Sequence, residues 1–177
     1  MKTTQVLLIM KFTVWATFIG LCIQTGAILY SFFISIFVNP AAAKNLYLGL
    51  NLSGLYNYNA WHFAIIMLLV ICLSCLKTYI TYSVLQIILK TNFVHPFSPN
   101  IAALIKKISY VAFGIGVLAV VANAYSEWLI KKGIAFNDLQ NYLSGGPEFL
   151  FFAGILFIIA QVFKRGIEIQ SENELTI

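Results

Sequence analysis

Four long apolar stretches, separated by short polar segments, dominate the sequence. A membrane-spanning helix needs roughly 20 mostly apolar residues, so a chain of 177 residues holds four such helices and leaves no room for a separate soluble domain. The composition agrees, because 60% of the residues are hydrophobic and only 10% are charged, against about 25% in soluble domains. Together with a mean hydropathy of +0.88, these values exclude a water-soluble domain, a disordered chain and a disulfide scaffold.

We therefore predict an all-α membrane protein whose four transmembrane helices form a compact bundle, in a single membrane domain over residues 1–177. Asn39-Pro40 ends the first helix, and Ser98-Pro99 supplies the N-cap and first turn of the third. Gly145-Gly146-Pro147 breaks the chain before the fourth. The predicted helices cover about residues 4–38, 58–91, 99–132 and 148–165, and a polar tail follows at 166–177.

The first loop, residues 41–59, has a leucine at every second position: Leu46, Leu48, Leu50 and Leu52. Alternation with period two is typical of extended chain. We predict a short extended segment or hairpin that lies on the membrane surface.

The basic residues predict the orientation in the membrane. Lys and Arg concentrate in the cytoplasmic loops of membrane proteins. Seven of them fall on the side of the N-terminus, the second loop and the C-terminus, and three fall on the other side. Both termini are therefore predicted to be cytoplasmic. The net charge of +5 then reflects orientation in the lipid bilayer, and direct nucleic-acid binding is not expected.

Small and polar residues recur at steps of three or four along two of the predicted helices. We call each of these two rows of residues a seam. Because helices in a membrane approach closely through small residues, we predict that the first and third helices touch along Gly20 and Gly116. An alternative interpretation is that the seams line a polar cavity. The seams consist of Thr13, Thr17, Gly20, Gln24, Ala27 and Ser31 in the first helix and Ser109, Ala112, Gly116, Ala119, Asn123 and Ser126 in the third.

Four polar side chains within the predicted spans are candidate interaction or cavity residues, since such residues mark substrate pathways in many membrane proteins. Lys77 is the one charge among them, and it either snorkels to the headgroups or contacts a substrate or partner. Glu127 and Glu148 are placed near the outer helix ends, which argues against an ion-coupled transporter. The four candidates are Gln24, Lys77, Asn123 and Gln161.

Motifs for catalysis are weak. Cys72 and Cys75 form a C-x-x-C pair, but it falls in the apolar centre of a span, where a reactive thiolate is disfavoured. His62 and His95 do not cluster, and no group of residues has metal-ligand spacing. We therefore predict a protein that is not an enzyme and has no cofactor and no metal.

Acidic and basic residues on the predicted cytoplasmic side suggest a cap. The carboxylates follow the fourth helix closely, and the lysines surround the turn at Pro96-Phe97-Ser98. We predict that the tail folds back, with carboxylates near lysines and Leu175 against apolar residues such as Phe97; a solvated terminus is the alternative. The cap residues are Lys90, Phe97, Lys106, Lys107, Glu168, Glu172, Glu174 and Leu175.

The last twenty residues, 158–177, resemble the end of the bacterial domain-of-unknown-function family 2975, a family of small membrane proteins. The likeness rests on an aliphatic helix, the step Phe163-Lys164-Arg165-Gly166, and an end of the form Glu-x-x-Leu-Thr-aliphatic at 172–177. The turn Pro96-Phe97-Ser98 also looks like the family's loop. The resemblance implies four helices and the bacterial inner membrane, and it supplies no activity, cofactor or catalytic residue. Genes of the family often neighbour small helix-turn-helix regulators.

Two functional hypotheses follow. In the first, a multi-pass protein of the bacterial inner membrane acts without enzymatic activity, in signalling or interaction, through its cytoplasmic loop and tail. A cytoplasmic protein, specifically a small helix-turn-helix regulator, is then its partner. The alternative is a small transporter or pore component with a polar intramembrane cavity.

Overall fold

The protein is all-helical in the part of the chain that the computed structural model describes, residues 3–91, 97–134 and 139–174. Four of its helices are long and apolar enough to cross a membrane, so the predicted fold class is confirmed and the protein is a multi-pass membrane protein. The α-helices are α1 (Thr3–Phe37), α2 (Ser53–Tyr58), α3 (Ala60–Lys90), α4 (Pro99–Lys131), α5 (Leu139–Leu143) and α6 (Gly146–Glu174), with a 3₁₀ helix at Pro40–Lys44.

Side-chain caps set the starts of these helices. Asn39 accepts a hydrogen bond from the Ala41 backbone at 2.9 Å, directly after α1. Asn59 accepts one from the Trp61 backbone at 2.8 Å and opens α3. Ser98 caps α4 by accepting from the Ile101 backbone at 3.3 Å, as predicted from Ser98-Pro99. Each cap satisfies a backbone N–H that the helix itself leaves unpaired.

The long helices pack in chain order, each against the next: α1 on α3, α3 on α4, and α4 on α6. Successive helices run antiparallel, so the start of α1 and the end of α6 lie at the same end of the bundle, together with the connection between α3 and α4. We call this the terminal end and the other the loop end. Which of the two faces the cytoplasm stays a prediction.

The predicted contact between the first and third helices, now α1 and α4, is wrong. Within the described residues these two helices share no extensive interface. No described atom outside α1 lies within 4 Å of a Cβ built at Gly20, whereas a Cβ at Gly116 would lie 2.6 Å from Leu150 and 3.0 Å from the carbonyl oxygen of Gly146. The seam of α4 is a packing face, as expected, but its partner is α6.

Residues spaced by seven carry the contact between α4 and α6. The Ser109 hydroxyl donates to the Ala153 carbonyl at 2.9 Å, with both residues buried. Seven residues further along, Gly116 meets the first turn of α6. A seven-residue period keeps one stripe facing a neighbouring helix, so the two backbones stay close over several turns.

The first loop is a compact plug instead of a surface hairpin. Leu46, Leu50 and Leu52 are buried, and the Leu46 backbone N–H donates to the Leu50 carbonyl at 2.9 Å across a tight turn. The turn passes through positive φ at Leu48 (44°) and Gly49 (88°). The leucines at every second position therefore belong to a turn and not to a strand. Three of them are buried in the core, and Leu48 is exposed.

The start of α6 lies level with the middle of α4. A Cβ at Gly146 would meet Val120 and the Gly116 carbonyl within 3.4 Å, and α4 continues from Val120 to Lys131. Those eleven residues correspond to about 17 Å of helix. The half of α4 at the loop end therefore has α5, not α6, beside it. Glu148 is in the first turn of α6, close to a helix end as predicted, and this end lies near the middle level of α4.

At the terminal end α6 continues as a helix through Glu174, nine residues beyond the predicted end at 165. Residues 166–174 are thus helical, and the predicted folding back of the tail stays a prediction, because residues 175–177 lie outside the described part of the chain. The helix here is supported by an ion pair from Arg165 to Glu168 at 2.9 Å and by the Ser171 hydroxyl, which donates to the Glu168 carbonyl at 2.8 Å. A single glycine, Gly166, does not end it.

Candidate functional site

Two of the four candidate cavity residues meet at α5. The Lys77 ammonium donates to the carbonyl of Tyr142 at 3.5 Å, and the Asn123 amide donates to the carbonyl of Leu143 at 2.9 Å. These two carbonyls are the last of α5, and the last four carbonyls of any helix lack a partner within it. Lys77 and Asn123 therefore cap the C-terminal end of α5, where a positive charge also suits the helix dipole.

A third hydrogen bond ties α5 to the plug formed by the first loop. The Tyr142 hydroxyl donates to the Tyr47 carbonyl at 2.9 Å. The Lys77 ammonium also lies 5.8 Å from the centroid of the Phe149 ring in α6. Together α3, α4 and the first loop hold α5 in place, so the intramembrane lysine serves an internal contact.

Gln24 and Gln161 do not join this group. Gln24 is half-buried on α1, and Gln161 is exposed on the outer surface of α6. Among the described residues, every fully buried side-chain nitrogen and oxygen atom has a hydrogen-bond partner. The four candidates are therefore not brought together around one space, and the polar groups inside the bundle are used for packing.

The terminal end contains an aromatic contact at Phe97, one of the residues of the predicted cap. Phe97 packs edge-to-face on Phe163 of α6, with ring centroids 5.3 Å apart. A Cβ at Gly166 would lie 2.6 Å from the same Phe97 ring, so the glycine allows the ring to lie directly on the helix. Phe97 thus fixes α6 against the start of α4 near Phe163 and Gly166.

The charges of the predicted cap are distributed differently. Lys106 lies 5.8 Å from the ring centroid of Tyr110, and Lys107 lies 5.0 Å from that of Tyr79. Glu168 pairs with Arg165 on its own helix. Lys90 is exposed in the last turn of α3, and Glu172 is exposed on the extended part of α6. Glu174 is helical, and Leu175 lies outside the described residues.

An aromatic cluster at the loop end was missed in the sequence. The His62 ring nitrogen Nδ1 and the Tyr125 hydroxyl are 2.6 Å apart. Tyr58 stacks on His62, and Trp128 stacks on Tyr125, with the Lys132 ammonium 4.6 Å from the Trp128 centroid. Aromatic residues near the ends of two adjacent spans were the available signal, since such residues gather at membrane interfaces.

The cysteines and metal-binding residue types make no catalytic constellation in the described structure. Cys22, Cys72 and Cys75 are free thiols and all three are exposed on the outside of the helices. No group of three or more His, Cys, Asp or Glu residues within residues 3–91, 97–134 and 139–174 could hold a metal ion.

Comparison with known proteins identifies a family. The family model described as "Protein of unknown function (DUF2975)" matches residues 47–177, a segment that begins in the first loop and includes α2 to α6. No curated protein and no solved structure matches the chain significantly. Because the family model covers well over half of the chain, the protein belongs to the DUF2975 family of proteins of unknown function.

Proposed function

We propose that this protein is a non-enzymatic protein of the bacterial inner membrane that binds a cytoplasmic protein partner through the extended end of α6. The observation that carries the proposal is the continuation of α6 beyond its contact with Phe97. The eight residues from Ile167 to Glu174 add about 12 Å of helix beyond that contact. A rigid helix held at its base is a suitable element for recognition, because its binding surface is ordered before the partner arrives.

The surface of this segment fits a protein partner. Ile169 is exposed although it is a large apolar residue, and Glu172 and Ser171 are exposed beside it. An apolar residue with a polar surround is the usual anatomy of a protein contact. A small helix-turn-helix regulator is the first partner to test, because genes for such regulators often neighbour those of the family.

Site-specific photocrosslinking in native membranes tests the proposal. A photoreactive residue at position 169 is expected to form an adduct with a small helix-turn-helix regulator. The matched control places the same residue at position 158, since Ile158 is exposed on the same helix but within its apolar stretch. Adducts with the regulator at neither position, or equally at both, would contradict the proposal.

The alternative, a small transporter or pore component, requires Gln24, Lys77, Asn123 and Gln161 to share a water-filled path. Lys77 and Asn123 are engaged by α5, which favours the first proposal. A cysteine at position 24 distinguishes the two. A water-filled path would let a small soluble thiol reagent modify that cysteine quickly, whereas a dry bundle keeps the reaction slow.

A further inference from the structure

A groove on the outside of the bundle runs between α1 and α3. Its volume is about 480 Å³, and its walls include Phe18, Gly26 and Leu29 from α1 and Cys75, Tyr79 and Tyr82 from α3. Both helices are long and apolar enough to span the membrane. The medium that reaches such a groove is lipid, so the occupant must be apolar over most of its length.

The two threonine hydroxyls in the groove are already satisfied by each other and by the backbone. The hydroxyls of Thr25 and Thr78 are 3.2 Å apart, and the Thr78 hydroxyl donates its proton to the Ser74 carbonyl at 2.8 Å. Thr25 must therefore donate to Thr78, and neither hydroxyl has a proton left for a ligand. This favours a hydrocarbon chain over a polar solute as the occupant.

One cation lies at the edge of the groove. Tyr79 lines the groove, and the ammonium of Lys107 on the neighbouring helix α4 lies 5.0 Å from the centroid of its ring. Lys107 is exposed and has no carboxylate within ion-pair distance in the described part of the chain. A basic residue beside an apolar groove between transmembrane helices attracts the negative charge of an anionic lipid headgroup.

We propose that this groove is a binding site for an anionic phospholipid, with one acyl chain between α1 and α3 and the headgroup phosphate at Lys107. The two parts of the site match the two parts of the ligand. The groove supplies apolar area for the chain, and Lys107 supplies selectivity for a negative headgroup over a zwitterionic one. This inference is independent of the proposed cytoplasmic partner.

Native mass spectrometry of the full-length protein in detergent tests the headgroup contact. Phosphatidylglycerol is expected to bind more tightly than phosphatidylcholine with the same acyl chains. Lys107→Gln should weaken phosphatidylglycerol binding about fivefold, the effect of one basic residue near an anionic lipid, and should leave phosphatidylcholine binding unchanged. Lys106→Gln is the matched control, because Lys106 lies on Tyr110, which is not among the residues of the groove.

A second pair of variants tests the groove itself. In the described part of the chain, no atom outside α1 lies within 4 Å of a Cβ built at Gly26, and a Cβ at Gly114 on α4 likewise has no neighbour within 4 Å. Gly26→Leu should therefore fold normally, fill the groove and remove the tightly bound phosphatidylglycerol, while Gly114→Leu should retain it. Equal lipid binding by the two lysine variants, or by the two glycine variants, would overturn the assignment. Competition by glycerol 3-phosphate would also overturn it, since a soluble phosphate does not need the groove.

Discussion

The absence of a side chain at Gly116 allows α4 and α6 to pack closely in this membrane protein. Leu150 and the Gly146 carbonyl occupy the space that a Cβ would need. Where two helices lie this close, dispersion contacts and short backbone approaches supply the attraction that the hydrophobic effect cannot supply between lipid-embedded surfaces. The residue is therefore a determinant of the pairing between α4 and α6.

Gly116→Ala is expected to destabilise the protein. The added methyl group must displace Leu150 or push α6 away from α4, and such overpacking costs about 1–3 kcal/mol. At about 2–4 °C per kcal/mol for a chain of this size, the melting temperature in detergent should fall by several degrees.

Gly114→Ala is the control for this experiment, since a Cβ there enters open space and alanine favours the helix. The two variants carry the same chemical change on the same helix. If both melt at the temperature of the unchanged protein, the close approach at Gly116 does not exist in solution.

Among the elements, α5 is the shortest of the α-helices and has the most unusual position. Its five residues lie beside the half of α4 at the loop end. Its last two carbonyls accept hydrogen bonds from Lys77 and Asn123. In a bilayer an unpaired backbone group finds no water to bond. The polar residues that cap α5 are therefore part of what allows a short helix to exist at this level of the bundle.

Asn123→Leu is expected to loosen α5 without disrupting α4. Hydrogen bonds between membrane helices contribute about 0.6 kcal/mol on average and up to about 1.7 kcal/mol. Hydrogen exchange of the amides in residues 139–143 should therefore quicken roughly threefold to twentyfold.

Gln161→Leu makes the same change at an amide that is exposed on α6, and exchange in α5 should not respond to it. An unchanged rate in the Asn123 variant would show that Asn123 does not hold α5.

The sequence was informative about the long helices and less so about how they meet. Apolar length and the caps at Asn39 and Ser98 predict seven of the eight ends of the long helices to within about two residues, because these signals are local. The seam of α4 identified the correct face, but periodicity does not say which neighbour covers it, so Gly116 was assigned to the wrong helix. α5 escaped notice because five residues are too few to show a helical period.

The misinterpretation of the first loop has a related cause. Leu46, Leu50 and Leu52 alternate in the sequence as they would in a strand, yet they are buried by a turn that passes through positive φ at Leu48 and Gly49. At the terminal end, Phe97 was singled out as an apolar partner for Leu175, and its contacts with Phe163 and Gly166 were not predicted. The groove between α1 and α3 could not be predicted, since it depends on residues about 50 positions apart in the chain.

At the scale of the whole molecule, both chain termini belong to one end of the bundle, and the charge distribution predicts that this end is cytoplasmic. Seven basic residues fall at the terminal end and three at the loop end. The difference follows the rule that positive charge is retained on the cytoplasmic side during insertion.

Cysteine labelling of a variant without native cysteines measures this orientation. A cysteine at Ser171 should react with an impermeant maleimide only after the membrane is opened. A cysteine at Asn57, exposed near the loop end, should react in intact cells. The reverse pattern would show that the protein has the opposite orientation.

The dependence of α5 on its neighbours bears on how the protein is made. The groups that bond to α5 come from the first loop, from α3 and from α4, and all three precede α5 as the chain leaves the ribosome. The surface that binds α5 is therefore synthesised before α5 itself. The backbone carbonyls of α5 can form their hydrogen bonds as soon as α5 enters the membrane. The helix α6 is inserted last, and it packs against α4, which has already been synthesised.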